Sequence, residues 1–214
     1  MARQGYTPKK RNSYTRPIGR TIVFALEGKN KTEHQYLLDM AKDFKGLITV
    51  KFADGNETDP VSMMKSLLQK VADLELEEQD LAFSLVDSDC NPSKDGQMRE
   101  ADVLARKTKT VKVRQIVSSP CFEIWYLLHY TYTTAQFARS SDVVDLLRSK
   151  YMSEYSKALE GVYSLLRDKQ DTACRHADQL YEHCKDKGAR PHTTAFTPST
   201  EMFVVIDEVK KARR

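Results

Sequence analysis

Hydrophobic and polar positions in the first half of the chain predict strands and helices in alternation. Short apolar, β-branched runs typical of buried strands occur at 21–26 (TIVFAL), 47–52 (LITVKF), 81–86 (LAFSLV) and 111–117 (VKVRQIV). The segments between them have the apolar spacing of helices, at 31–44, from 60 to about 76, and within 93–107. Each connection is long enough for a helical crossover. The pattern therefore predicts an α/β fold, with a mainly parallel four-stranded sheet flanked by helices.

The second half of the chain has a helical pattern. The aromatic-rich segment 118–132 predicts a helix from Cys121 to about Tyr130, and the strongly charged segment 141–187 is also helical in pattern. A loop over 188–200 leads to a last helix, for which Ser199 or Thr200 is available as the N-terminal cap. We predict three parts: a basic, flexible tail over 1–19, an α/β core over 20–133, and a helical extension over 134–214 that packs on the core.

Composition narrows the class of protein only slightly. The 214 residues are 40% hydrophobic and 30% charged, which suffices for one compact domain with a core, or a domain and an appendage. The net charge is +4, and the first twenty residues contain six basic residues and no acidic one. This start is either a solvated tail or an arm that contacts phosphate groups, in which Arg16 and Arg20 are candidates.

Nothing in the sequence suggests a membrane protein or a secreted one. The N-terminal segment lacks the apolar stretch of a signal peptide, and no run of about eighteen apolar residues is present. The four cysteines, at 90, 121, 174 and 184, form no CxxC pair, so free thiols in a reducing cytoplasm are the simplest account.

Two carboxylates follow the third predicted strand. Asp87 and Asp89 would point to the same side if the strand continues, because alternate side chains share a face. Two like charges that close together repel each other unless a proton or a cation intervenes. Mg²⁺ takes oxygen ligands and needs only one or two carboxylates from a protein, so a metal site is one interpretation. A solvated turn after the strand is the other.

Glu27 follows the first predicted strand and precedes Gly28, which permits a tight turn. In a parallel sheet, functional residues collect beyond the carboxyl ends of the strands, so Glu27 would join Asp87 and Asp89 there. Alone, Glu27 would be an ordinary surface residue. Four nearby cations are candidate contacts for a phosphate or nucleic acid, although each would usually be only solvated: Lys29, Lys31, Lys94 and Arg99.

A first strand that ends in Glu-Gly and a third that ends in DxD resemble the Toprim domain. Within the proteins that carry this domain, the sequence is similar to the RloB family of bacterial restriction-linked and abortive-infection proteins. The resemblance covers nearly the whole chain and depends on four pieces in order: ALEGKNKTEHQYL (25–37), LVDSD (85–89), SSPCFEIWYLLHY (118–130) and TPST (197–200). One departure is Ser119, where the family pattern would have Asn.

The resemblance implies a nuclease that depends on Mg²⁺, with Mn²⁺ as an alternative, and that acts in phage defence in the bacterial cytoplasm. Its substrate would be DNA or RNA, including tRNA, and its partners a neighbouring ATPase of the AAA/ABC type or further copies of the chain. By position, Glu27, Asp87 and Asp89 would hold the metal. Glu123 would supply a fourth catalytic carboxylate or would cap its helix.

Further candidates from the resemblance have two interpretations each. Glu33 is a further candidate for the acidic group. His129 is either a packed histidine or a base. Ser199 and Thr200 are either a helix cap or contacts to phosphate at a helix N-terminus. A non-catalytic module that senses a nucleotide or a phage protein, and works with an ATPase, is the alternative function. A primase or topoisomerase would need further domains for which the chain has no room.

Overall fold

A five-stranded sheet forms the centre of the protein in a computed structural model, which describes residues 19–28 and 31–213 and, for Lys31, only the backbone. The strands are β1 (Arg20–Ala25), β2 (Ile48–Phe52), β3 (Leu81–Asp87), β4 (Lys112–Ser119) and β5 (Ser199–Thr200). Their order is β2-β1-β3-β4-β5, with β1 to β4 parallel and β5 antiparallel to β4. The predicted mainly parallel α/β sheet is confirmed, with one short strand more than predicted.

Helices cover both faces of the sheet, and loops connect them. They are α1 (Lys31–Asp43), α2 (Pro60–Asp73), α3 (Lys94–Lys107), α4 (Glu123–Leu128), α5 (Ser140–Lys150), α6 (Val162–Leu166), α7 (Gln170–Asp186) and α8 (Met202–Lys211), with a 3₁₀ turn at Arg167–Lys169. Asp59 caps α2 as its sequence indicates, because its carboxylate accepts a hydrogen bond from the Ser62 N–H at 2.9 Å. None of the helices in these ranges is sufficiently long and apolar to span a membrane.

Alternation along the strands divides the core between the two faces. In β1, Ile22 and Phe24 belong to one buried cluster and Val23 and Ala25 to the other. The second cluster packs against α2 and α3, whereas the first packs against α1, α4, α5, α7 and α8. β3 is buried at every position before Asp87 because it lies between β1 and β4. Its uninterrupted apolar sequence is typical of such a strand.

Residues after 134 share a hydrophobic core with the sheet. The hydroxyl of Tyr36 in α1 accepts hydrogen bonds from Trp125 Nε1 at 2.8 Å and from Gln170 Nε2 at 2.7 Å. One side chain thus joins α1, α4 and the start of α7. The division of the chain at residue 133 stays a prediction, and the tail over 1–18 lies outside the described residues.

Two predicted elements differ from the structure. The helix expected from Cys121 to about Tyr130 extends only over Glu123–Leu128. The segment 141–187 is helical in large part, as its pattern indicates, and contains most of α5 together with α6 and the 17-residue α7. Ser199 and Thr200 were expected to cap the last helix, but they form β5 and pair with Ser119 and Ser118. Thr200 keeps part of the predicted role, because its Oγ1 accepts a hydrogen bond from the Met202 N–H at 3.3 Å.

Candidate functional site

The candidate acids converge at the carboxyl edge of the sheet. β1 and β3 are parallel neighbours, with Ala25 opposite Ser84, so Glu27 follows one strand and Asp87 ends the next at the same edge. This neighbourhood is the one that the alternation of strands and helices predicts.

The geometry around Asp89 differs from the sequence argument. β3 ends at Asp87, and Asp89 has a φ of +50°, in the left-handed region that Asp tolerates better than most residues. The turn is bonded to the end of β4, since the Ser88 N–H donates to the Ser118 carbonyl and the Asp89 N–H to the Pro120 carbonyl, each at 2.9 Å. The rule that alternate residues share a face therefore does not apply to Asp89.

Lys94, the first residue of α3, connects Glu27 and Asp89, which we call the outer acids. Its ammonium donates to Glu27 Oε1 at 2.9 Å, to Asp89 Oδ2 at 2.7 Å and to the Asp87 carbonyl at 2.9 Å. Burial alone would lower the pKa of Lys94, but the hydrogen bonds to Asp89 and Glu27 raise it. Burial raises the pKa of Glu27, and the contact with Lys94 opposes that shift. At neutral pH, Lys94 is therefore charged and bound to both carboxylates.

Two more carboxylates lie deeper in the protein. Glu33, in the first turn of α1, and Glu123, the first residue of α4, are each only 3% exposed. Glu123 Oε1 accepts a hydrogen bond from the Tyr155 hydroxyl at 2.8 Å. Burial and the nearby charge of Glu123 and Glu27 raise the pKa of Glu33 to about 8. Near neutral pH, Glu33 therefore retains its proton in a large share of molecules.

Asp87 lies between the outer and the inner acids. Burial raises the pKa of Asp87 well above its usual value, and the charges of Glu33, Glu123, Asp89 and Glu27 act in the same direction. Five carboxyl groups thus influence one another, and within this part of the described chain Lys94 provides the direct ammonium contact. Such a group is stable only with protons or with a further cation.

The types of side chain in the acidic group suit a hard divalent cation, but their positions in the structure do not yet form a binding site. Mg²⁺ and Mn²⁺ prefer carboxylate oxygen, which is the only type of side-chain donor in this acidic group. Yet across residues 19–28 and 31–213, no three His, Cys, Asp or Glu side chains form a group placed to hold a metal ion. The residue types therefore fit, while metal binding would require side chains to move, with Lys94 releasing Glu27 or Asp89.

His129 lies away from the acids, in the interior. It follows α4 at the end opposite Glu123, is 2% exposed, and packs edge-on against Trp125 with 4.7 Å between ring centroids. Its Nδ1 lies 2.8 Å from the Trp125 carbonyl and is therefore the protonated nitrogen. Burial lowers the pKa of His129 to about 4. These contacts favour the packed histidine over the base.

The candidate cations are not gathered at one place. Arg99 is exposed on α3, five residues after Lys94. Arg20 begins β1, at the edge of the sheet opposite the acids, where its guanidinium lies 3.6 Å from Glu208. This placement removes Arg20 from the acidic site. Arg16, Lys29 and the side chain of Lys31 lie outside the described residues.

Ser199 and Thr200 line the sheet rather than the acidic group. Thr200 Oγ1 lies 2.9 Å from Ser118 Oγ, and Ser199 Oγ donates to the Phe196 carbonyl at 2.6 Å.

Sequence reasoning missed Tyr155 as the partner of Glu123. It is the second tyrosine of YMSEY, in a segment with no local pattern that points to an acidic site.

Comparison with protein families gives one match. A family model described as RloB-like protein matches residues 22–209, which is most of the chain. No curated protein and no solved structure is similar enough to count as a match. The matched range includes all five strands, apart from the first two residues of β1, and all of the candidate acids.

Proposed function

Because the chain belongs to the RloB-like family, we propose that it hydrolyses phosphodiester bonds of nucleic acid at the carboxyl edge of its sheet, with Mg²⁺ or Mn²⁺ held by Glu27, Asp87 and Asp89. The observation that supports this most is the convergence of five carboxyl groups around the carboxyl ends of β1 and β3, where burial and the neighbouring charges raise the pKa of Asp87. A functional site is where such a costly cluster is most often found.

A bound divalent cation would neutralise charge on a phosphate group and make a water molecule more acidic. The chain's own residues have separable roles around it. Asp87 is rigidly placed at the end of β3, whereas Asp89 is half-exposed and Glu27 is on a turn, so the last two are freer to adjust. Glu123 is held in place by its hydrogen bond with Tyr155. Lys94 and Arg99, in the first half of α3, are the cations that would contact a bound phosphate.

The proposal also includes the type of fold, the biological role and a partner protein. The fold would be of the Toprim type, and the activity would serve phage defence in the bacterial cytoplasm together with an ATPase. The four cysteines are free in the structure, which is compatible with a reducing compartment.

The test is cleavage by the purified full chain, with and without Mg²⁺ or Mn²⁺, of plasmid DNA, single-stranded DNA and total tRNA. We expect metal-dependent products that Asp87→Asn reduces at least a hundredfold, because the ligand charge is removed while the volume is kept. Asp186→Asn, at the exposed end of α7, is the matched control. Metal-dependent cleavage that survives both Asp87→Asn and Glu27→Gln would remove these acids from the reaction.

A second function is supported by one observation. Lys94 binds both Glu27 and Asp89, as expected of a binding module whose acids are structural. Such a module would bind a nucleotide or nucleic acid without turnover. Titration calorimetry with MgCl₂ separates the two, since a catalytic site requires heat of binding that Asp87→Asn abolishes.

A further inference from the structure

The outer edge of β4 is covered over only a fraction of its length. β4 extends over Lys112–Ser119, but its neighbour β5 consists of two residues and pairs with Ser118 and Ser119 alone. No strand covers the remainder of β4, in which Lys112 and Arg114 are exposed, Val113 is half-buried and Gln115 is buried. The sheet ends there, at a place remote in sequence from Glu27 and Asp87.

The backbone groups on this edge can be assigned from the pairing. The backbone N–H and C=O of Val117 face away from β3, because the N–H donates to Glu201 Oε2 at 3.0 Å and the carbonyl accepts from the Glu201 N–H at 3.1 Å. The direction of these backbone groups alternates along a strand, so those of Val113 and Gln115 face away from β3 as well. Within residues 19–28 and 31–213, no strand pairs with these two positions on the outer side.

A groove of about 440 Å³ runs along this uncovered edge. β4 forms one wall with Val113 and Gln115, and the other surfaces come from α3, α7, α8 and the loop before β5. Apolar surface is provided by residues of several elements: Ala105, Val113, Ile116, Tyr181, Pro191 and Val204. Gln115 is 4% exposed, and its Oε1 has no hydrogen-bond partner among the described residues.

The charge of the groove is positive. Arg106 and Arg114 line it, are exposed, and form no ion pair in the part of the chain that the structure describes. The acids of the groove are already engaged, because His192 lies 2.7 Å from Asp102 and 2.9 Å from Glu201. Burial alone would lower the pKa of His192, but these hydrogen bonds raise it to about 10. The histidine is therefore protonated and offsets one of the two carboxylates.

We propose that this groove binds an extended acidic peptide of a partner protein, which adds a strand to the outer edge of β4. The unpaired N–H and C=O groups of Val113 and Gln115 would hydrogen-bond the peptide backbone. Alternate peptide side chains would enter the apolar groove, and carboxylates facing the other side would pair with Arg106 and Arg114. A peptide suits the site better than a nucleic acid, since only a peptide backbone offers donors and acceptors that alternate at the spacing of a β-strand.

The experiment selects a displayed library of random heptapeptides on the purified full chain, and measures the affinity of the winners by fluorescence anisotropy. We expect enriched peptides with acidic residues and alternating β-branched residues. Val113→Pro removes an outward N–H without touching the ladder to β3, and proline is tolerated on a sheet edge. It should weaken binding about tenfold, as should Arg114→Glu, whereas Val113→Ala and the exposed Lys150→Glu should not.

Each other result overturns the proposal. No enrichment, enrichment without acidic residues, or affinity that Val113→Pro leaves intact would exclude strand addition. Binding of a 15-nucleotide oligothymidylate that depends on Arg106 and Arg114, without peptide binding, would instead assign the groove to nucleic acid. A dimer in sedimentation that Val113→Pro converts to monomer would assign it to a second copy of the chain. None of these results depends on nuclease activity, so the function proposed above is tested separately.

Discussion

The ammonium of Lys94 lies 2.9 Å from Oε1 and 3.2 Å from Oε2 of Glu27, although the two residues are 67 positions apart in the chain. This contact joins the start of α3 to the turn after β1. A side chain of the protein thereby supplies positive charge where a metal ion is proposed to bind, and two consequences can be measured.

The first prediction concerns Lys94→Met, which keeps most of the side-chain volume and removes the charge. Without a divalent cation, we expect the free energy of unfolding at pH 8 to fall by about 1–3 kcal/mol, because Glu27 and Asp89 lose their partner. With Mg²⁺, the variant should gain more stability than the wild type, since the ammonium no longer competes for the same carboxylates.

Urea unfolding with and without MgCl₂ measures both effects. Lys107→Met is the matched control, because Lys107 is an exposed lysine in the last turn of the same helix. If Mg²⁺ stabilises the wild type and Lys94→Met equally, Lys94 and the metal do not share ligands.

The contact between Lys94 and Glu27 also marks what the sequence could predict and what it could not. The four parallel strands could be predicted because each is a compact apolar run, and β3 in particular is buried at every position before Asp87. The common edge for Glu27 and Asp87 followed from the parallel order alone. Local patterns therefore sufficed for the sheet and for the neighbourhood of these two acids.

The errors arise where distant segments decide the local structure. β5 has two residues and exists only through its pairing with Ser118 and Ser119, so no local run indicates it. Asp89 was expected on the same face as Asp87, but bonds from its turn to the end of β4 stop the strand first. Lys94 was named only as a candidate contact for a phosphate, and its bonds to two acids could not be foreseen, because they depend on the folded positions of β1 and α3.

The second prediction concerns Tyr155→Phe. The Tyr155 hydroxyl donates to Glu123 Oε1 at 2.8 Å, and both residues are almost fully buried. Removing the hydroxyl leaves a buried carboxylate without this donor, so the free energy of unfolding should fall by about 1–3 kcal/mol. Tyr132→Phe, at a tyrosine that is 40% exposed, should change it little. Thermal unfolding of the two variants gives the comparison, and equal melting temperatures would contradict the role assigned to this hydrogen bond.

The third prediction is a loss of stability in acid caused by His129. Burial lowers its pKa from 6.5 to about 4, so between these values the unfolded chain binds a proton that the folded protein does not. The neutral histidine thus contributes stability above pH 6.5, and this contribution is lost as the pH falls towards 4. The full loss from this residue is about 3 kcal/mol.

His129→Gln should remove that part of the pH dependence. The measurement is the free energy of unfolding of wild type and variant at intervals between pH 6.5 and 4.5, with the difference between the two curves as the readout. A constant difference over this range would show that His129 does not resist protonation.

The fourth prediction concerns His192, whose contribution to stability is lost as the pH rises rather than as it falls. Its pKa rises from 6.5 to about 10 because Asp102 and Glu201 accept hydrogen bonds from its two ring nitrogens. The folded protein therefore holds a proton that the unfolded chain releases above pH 6.5. The stability from this charged triad is fully present below pH 6.5 and is lost as the pH rises towards 10.

NMR titration of the His192 ring should accordingly show a protonated imidazole at pH 8, with a midpoint near 10. Asp102→Asn and Glu201→Gln should each lower this midpoint, because each removes one negative partner. Unfolding between pH 7 and 9.5 should show stability falling in the wild type and a flatter dependence in His192→Gln. A midpoint near 6.5 in the wild type would mean that His192 does not offset Asp102 or Glu201 at neutral pH. The groove along β4 would then keep Arg106 and Arg114 but lose its net positive charge.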